Sequence, residues 1–496
     1  MDIKKEYSCL ERNSRVFQKN IEIDEDYQET IPQYCDDIYR IVKCKSHSYI
    51  TSVDTNYSEI KIFGKTEICI TYFNENSDLC YTDFEEEFTK TCDIENLSDK
   101  AFARANICDK YTNFRVINQR RIDIHTSGNI SLSVYDRTKC PGVSSCENAK
   151  LRVENVKTAM IINTALSRVE FDEEFSIPAD SQAIKRIISS TATASLSQSK
   201  IINDKALVKS IINLSVMYTT DESPTQIKSC KYSFEVSKII DAAGIRESDY
   251  IIANINVGNL FTKSKNASGD KLTVIEAFGE LCVSALFIRE EEQSLITDGY
   301  VLNRNSDCVY TDYRCCADGK FINENRQQTL TFDFSNDIKE IKELSISLSD
   351  TVVRNSKLVA KATANAICVS DSDNLTYFSN TSDIEISIEE YQDAVCSLNI
   401  QDFDFTLSQS AKVDVRLNYN ISAYLFNESS ISILSDLQAE DEFIKYPTMT
   451  VYFGKEEESV WSIAKNFSSD IDLILKENNL TTDILDANKV LLIPGV

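Results

Sequence analysis

The 496-residue sequence predicts a mainly β protein, with three homologous β-rich, sandwich-like repeats followed by a small βααβ domain. Three observations carry this expectation. Apolar residues alternate with period two through most of the chain before residue 445, as on strands with one buried face. One strand pattern then recurs about a domain apart. Ile62, Gly64, Thr66, Ile68, Ile70 and Tyr72 of IFGKTEICITY sit like Val208, Ser210, Ile212, Leu214, Val216 and Tyr218 of VKSIINLSVMY, and a third, weaker copy runs from Val359 to Val369. After Tyr446 the period becomes helical.

Taken in order, each copy of this strand follows another strand-like stretch: SYITSVDTNYS, ATASLSQSKII or LSISLSDTVVR. Each precedes an acidic or polar turn, at Asn74–Asp78, Asp221–Pro224 and Asp371–Asn374. The ends of the repeats correspond as well. Ile122 and Ile124 followed by Asn129–Tyr135 parallel Val413 and Val415 followed by Asn420–Phe426, and the less regular middle copy is KLTVIEAFGELCVSALFI, 271–288. The repeats are expected at 18–145, 165–292 and 310–428, as independent modules joined by polar linkers at 136–155, 289–298 and 435–446. In the last segment, 447–496, Val460, Ile463, Ala464 and Phe467 mark a helix with Ser459 as N-cap. Ile471, Ile474 and Leu475 mark a second helix capped by Asp470, and strands at Thr450–Phe453 and Val490–Ile493 flank the pair.

Composition narrows the chemistry. Lys plus Arg number 52 against 78 Asp plus Glu, and a net charge of −26 repels nucleic acid and anionic lipid. No window approaches the ~18 apolar residues of a spanning helix, and the N-terminus lacks an apolar run behind Lys4 and Lys5, so a cytoplasmic protein without membrane insertion is expected. With 11 Gly and two His there is little material for phosphate loops or histidine-based sites. Phe63-Gly64-Lys65-Thr66 lies in an alternating strand, with Glu59 where a P-loop needs its first Gly. Asp371-Ser-Asp373 lacks the Gly and Glu of a calcium loop, and Asp402-Phe-Asp404 reads as the wet face of a strand. No cofactor and no metal site are expected. The sixteen cysteines read mostly as small buried hydrophobes, including the adjacent Cys315 and Cys316. Cys140 and Cys146 bracket Pro141-Gly142, read as a turn, and form the candidate disulfide. An enzyme with a cysteine nucleophile ranks last, because the three copies share no cysteine, histidine or acid at matched positions.

The string Val460-Trp-Ser-Ile-Ala-Lys465, Phe467, Ile471, Ile474, Leu475, Asn478, Leu485, Leu491, Ile493 and Pro494 resembles a LysM domain. The resemblance implies a βααβ fold that binds N-acetylglucosamine glycans in a groove between the loop after the first strand and the loop after the second helix. By position, Glu458, Ser459 and Val460 would line one side and Asn478, Asn479 and Leu480 the other. Glu457-Glu458-Ser459 replaces the usual Gly-Asp-Thr and crowds the rim with charge. Asn488 replaces Gly before the last strand, at a position where a left-handed backbone is expected. Leu473 replaces the usual Glu and reads as an exposed apolar contact. Trp461, the single tryptophan, reads either as core or as an anchor for a protein partner.

The whole architecture resembles the clostridial LysM proteins that carry repeated SPOCS domains. That resemblance implies a non-enzymatic spore-coat morphogenetic scaffold, made in the mother-cell cytoplasm and acting at the forespore surface. Its LysM domain would dock onto the ATPase of the coat basement layer, and its repeats would space other coat proteins or self-associate. The alternative is a peptidoglycan-binding protein of the spore cortex or wall.

Overall fold

The computed structural model describes all residues except 1–3, 179–180, 221–226, 267–271, 335–337, 371–373, 389, 410, 441–446 and 496. The acidic turns at 221–224 and 371–373 and the end of the last expected linker lie outside the described residues.

Each repeat is a sandwich of two sheets with the same strand order. In the first, β1 (Lys5–Thr30), β6 (Arg121–Cys146) and β5 (Phe102–Asn118) form one sheet in the order β1-β6-β5. The facing sheet is β2-β3-β4, with β2 Arg40–Thr55, β3 Glu59–Phe73 and β4 Leu79–Asp93. The second repeat has β7 (Ala149–Ser176), β8 (Ile184–Ile202), β9 (Lys205–Thr220), β10 (Lys228–Asp241), β11 (Tyr250–Asn266) and β12 (Leu272–Val301). The third has β13 (Ser306–Asp333), β14 (Ile338–Leu348), β15 (Val352–Arg354), β16 (Lys357–Ser370), β17 (Leu375–Ser387), β18 (Asp393–Gln409) and β19 (Lys412–Ala439), where β14 and β15 together take the place of one strand.

The recurring strand signature is the middle strand of the inner sheet. Ile60, Ile62, Ile68, Ile70 and Tyr72 of β3 are fully buried, as are Ala206, Val208, Ile212, Leu214 and Val216 of β9. In β16 the same face carries Leu358, Ala360, Ala362, Ala364, Ala366 and Cys368. The alternation survives while the side chains shrink, which is why the third copy is faint in sequence. Gly64, the glycine of the Phe-Gly-Lys-Thr stretch, lies under the Phe88 ring in the sandwich core, where a Cβ would collide with the ring.

The modules are not independent, contrary to the sequence expectation, and the stretches read as linkers are strand. Residues 136–146, 149–155, 289–298 and 435–439 continue β6, β7, β12 and β19 beyond the sandwiches. They build three two-stranded ribbons: β1 with β6, β7 with β12, and β13 with β19. The second and third repeats share one six-stranded sheet, β11-β12-β7-β13-β19-β18, closed by the pairs Cys316–Ala159 and Ala317–Thr158. The ribbons pack on one another through Leu10 and Cys140, Val156 and Leu295, and Tyr313, Cys315 and Ile433. They look polar in sequence because a two-stranded ribbon buries only the face turned towards its neighbours.

The inner sheets also converge. In each repeat the second strand carries a bulge near its start, and the residue after it is Lys43, Ser189 or Glu343, opposite Thr71, Met217 or Ile367. These equivalent residues meet. Lys43 Nζ lies 3.0 Å from Glu343 Oε1 and 3.5 Å from Ser189 Oγ, with both charged side chains 5% exposed. Val42, Leu79, Ile188, Met217 and Ile367 surround them. The three sandwiches therefore stand in pseudo-threefold relation within one chain, with a buried ion pair on the axis.

The C-terminal domain is βααβ, as the spacing predicts. β20 (Met449–Gly454) and β21 (Lys489–Pro494) pair antiparallel, and α1 (Val460–Asn466) and α2 (Ile471–Glu477) pack on one face. Among the described residues no helix precedes Val460, and none is long and apolar enough to cross a membrane.

Candidate functional site

The C-terminal domain is assembled around Val460, Trp461, Ile463, Ala464, Ile474, Leu485, Leu491 and Ile493, and its core is completed by Tyr300 at the end of β12. The domain is seated on the ribbon ends. Trp461 is 7% exposed, its ring meets Tyr300 edge-on at 5.1 Å, and the Arg152 guanidinium lies over it at 5.9 Å. Trp461 Nε1 donates to Asp298 at 2.8 Å, and Asp298 also takes Lys465 Nζ at 2.5 Å and Tyr310 OH at 2.8 Å. Burial alone would push the Asp298 carboxyl up, but the hydrogen bonds from Lys465, Trp461 and Tyr310 outweigh it and hold it below the usual carboxylate range. Lys150 pairs with Asp470 and Asp472, and Ser468 exchanges bonds with Asn303 and Arg304 backbone groups. Trp461 is thus an anchor, but for the chain's own ribbon rather than for an outside partner. Sequence reasoning missed Asp298, Tyr300 and Arg152 because they lie over 160 residues upstream, Arg152 and Asp298 inside stretches read as linkers and Tyr300 just past the second of these.

The two expected groove loops are adjacent, joined by the bridge Ser459–Ile484 and by Glu457 N to Leu485 O at 2.9 Å. Their polar side chains are engaged within the domain. Glu458 accepts from Tyr452 OH at 2.7 Å and from its own loop at Lys455 N. Ser459 occupies the N-cap of α1 without making a side-chain cap, and its Oγ turns to Asp483 at 3.3 Å. Asp483 caps in its place, accepting from Trp461 N at 2.8 Å, a role that no local pattern advertises. Asp470 does cap α2, through Asp472 N. Asn478 donates to the Ile474 and Leu492 carbonyls and accepts from Leu492 N, which ties α2 to β21. Val460 is buried, Leu480 packs partly on the core, and only Asn479 and Leu473 of the expected site stand exposed.

The glycine substitutions resolve differently. Glu457, at the position of the family's Gly, takes φ of 67°, a left-handed backbone that a non-glycine residue holds at some cost. Asn488 is not left-handed, contrary to expectation. It instead accepts from Glu456 N through its side chain at 2.9 Å.

Cys140 and Cys146 do not pair within the chain. Pro141-Gly142 lies inside β6 rather than in a turn, so the two thiols stand opposite Leu10 and Lys5, six residues of strand apart. At ~3.3 Å per residue that is roughly 20 Å, far beyond the reach of a disulfide. Burial pushes the Cys44, Cys80, Cys282 and Cys368 thiols up to about 12, the direction opposite to an activated nucleophile. His47 donates to the Val257 carbonyl and His125 meets Asp26. Among the described residues no three His, Cys, Asp or Glu side chains cluster as metal ligands.

Residues 183–264 match the family model described as SipL, SPOCS domain, and residues 455–494 match the LysM domain. The first match runs from β8 into β11 of the second sandwich, and the second covers the docked βααβ domain. No curated protein and no solved structure matches the chain. The chain carries a sporulation-related SPOCS domain ahead of a LysM module of the type that binds peptidoglycan glycans.

Proposed function

We propose that this chain is a non-enzymatic morphogenetic scaffold of the spore coat, built from three SPOCS copies and a LysM docking head. The head engages the ATPase of the coat basement layer at the forespore surface, from the mother-cell cytoplasm. The three sandwiches hold other coat proteins at a fixed spacing.

The observation that favours a protein partner over a glycan is the state of the groove. Glu458, Ser459 and Asn478, the side chains that would read sugar hydroxyls, already have partners inside the domain. A glycan would have to compete with those bonds, and exchanging one hydrogen bond for another gains little. The shared six-strand topology supports extending the SPOCS match from the second sandwich to the first and third.

The peptidoglycan reading rests on the LysM match itself. One experiment separates the two. The full-length chain is passed over immobilised coat ATPase and over purified peptidoglycan. Retention on the ATPase alone is expected, and retention on peptidoglycan alone would overturn the scaffold reading.

A further inference from the structure

The cysteines differ in what stands next to the sulfur. Cys44, Cys80, Cys92, Cys282, Cys315 and Cys368 are buried. Cys80 does meet a cation, the Arg186 guanidinium at 2.6 Å, but a guanidinium stays charged and does not attack sulfur. Cys308 is half-buried near the start of β13, and its Sγ lies 3.6 Å from Nζ of Lys465 on α1.

This pair is held from both sides. The Cys308 thiol donates to the Gly299 carbonyl at 3.0 Å, and Asp298 steers the Lys465 ammonium at 2.5 Å. Asp298 Oδ1 lies 3.8 Å from Cys308 Sγ, so thiol, ammonium and carboxylate meet at one point of the LysM seat. Tyr310, two residues along β13, donates to the same carboxylate. The Lys465 side chain is 30% exposed, which leaves a way in for a small oxidant.

We propose that Cys308 and Lys465 form a modification site, where hydrogen peroxide joins them by a sulfur–nitrogen bond that locks the LysM domain onto its ribbon. The sulfur first attacks the peroxide. The O–O bond breaks, the thiol is oxidised to a sulfenic acid, the peroxide is reduced and one water leaves. The Lys465 amine, having given its ammonium proton to solvent, then attacks that sulfur. The S–N bond forms, the S–O bond breaks, and the hydroxyl leaves with an amine hydrogen as a second water. A backbone nitrogen caps a sulfenic acid in the same way, as a sulfenamide, and here a side-chain amine lies against the sulfur. Closing the gap takes rotations within the flexible lysine stem. Thiols reverse the bond. One attacks the sulfur, expels the amine and leaves a mixed disulfide, and a second restores Cys308.

The bridge ties together residues 157 positions apart. It takes the Lys465 charge from Asp298, which keeps its bonds from Trp461 and Tyr310. The head then leaves its seat only if the ribbon unfolds with it. This holds whichever partner the head engages.

The test treats the full-length protein with hydrogen peroxide, alkylates the remaining thiols and maps tryptic peptides without reductant. In wild type, peptide 305–314 should appear joined to 456–476, uncut after Lys465 and two hydrogens lighter than the sum of the two. Dithiothreitol should separate them. Cys308→Ser and Lys465→Arg, the latter keeping the positive charge beside Asp298, should give no joined peptide. Urea unfolding followed by Trp461 emission should shift to higher urea in oxidised wild type, return with dithiothreitol, and stay put in both variants. Cys308 recovered as a sulfenic or sulfinic acid or as a disulfide, with Lys465 cut normally, overturns the site. A joined peptide with an unmoved Trp461 transition overturns the lock.

Discussion

The seat of the LysM domain turns on one carboxylate, and Asp298→Asn tests it. In the wild type Asp298 accepts from the Trp461 indole, the Lys465 ammonium and the Tyr310 hydroxyl, with its side chain 22% exposed. Asparagine keeps the shape and accepts one or two of these bonds, but it no longer neutralises Lys465. Removing one partner of a buried charge pair costs ~3–5 kcal/mol, and hydrogen bonds to charged groups are worth ~1.5–3 kcal/mol each. Partial exposure and the retained bonds reduce the total to about 2–3 kcal/mol, or roughly 30- to 150-fold in the docking equilibrium. The chain supplies its own probe, because Trp461 is its only tryptophan and sits in the contact. Urea unfolding followed by Trp461 emission should show a transition weakened by that amount, ahead of the β-body transition seen by circular dichroism. A loss under about 0.5 kcal/mol, with the two probes coincident as in wild type, would refute the claim that Asp298 holds the domain in place.

Three further outcomes follow from the same geometry. Because the folded-state pKa of Asp298 is depressed, its stabilisation is complete above the unfolded value of ~3.9 and is lost as pH falls through the folded value, so Trp461 quenching by acrylamide should rise below about pH 4 in wild type and be nearly flat in Asp298→Asn. Lys43→Met strips buried Glu343 of its partner on the pseudo-threefold axis and should cost ~3–5 kcal/mol, while Lys43→Met/Glu343→Leu should recover most of it, a thermal-unfolding cycle whose non-additivity measures the pair. Cys140→Ser should leave the non-reducing electrophoretic mobility of the monomer unchanged, since Cys146 has no reachable partner in Cys140, and a mobility shift confined to wild type would contradict the strand assignment of residues 140–146.

How much of this was legible depends on the range of the interaction concerned. Period-two alternation reports a single buried face. It therefore located the strands that became β3 and β9 and, more faintly, β16, where alanines keep the pattern but lose the bulk. The LysM helices were visible because i, i+3 and i+4 spacing and the cap Asp470 are local. Polar composition misled at 136–155 and 289–298, because a ribbon with one wet face has the composition of a linker, and Pro141-Gly142 reads as a turn wherever its neighbours are unknown.

Local pattern therefore carried the β body, the number of repeats and the βααβ end, since each follows from the burial of a residue relative to its sequence neighbours. Only tertiary structure decided which surfaces face each other. It brought Lys43, Ser189 and Glu343 together from equivalent positions in three repeats. It also gave Trp461 to Asp298 and Tyr300, and left Val451, Phe453, Val490 and Leu492 uncovered. No periodicity encodes these choices, because each depends on the packing of elements more than a hundred residues apart, and that partner is absent from any window of sequence.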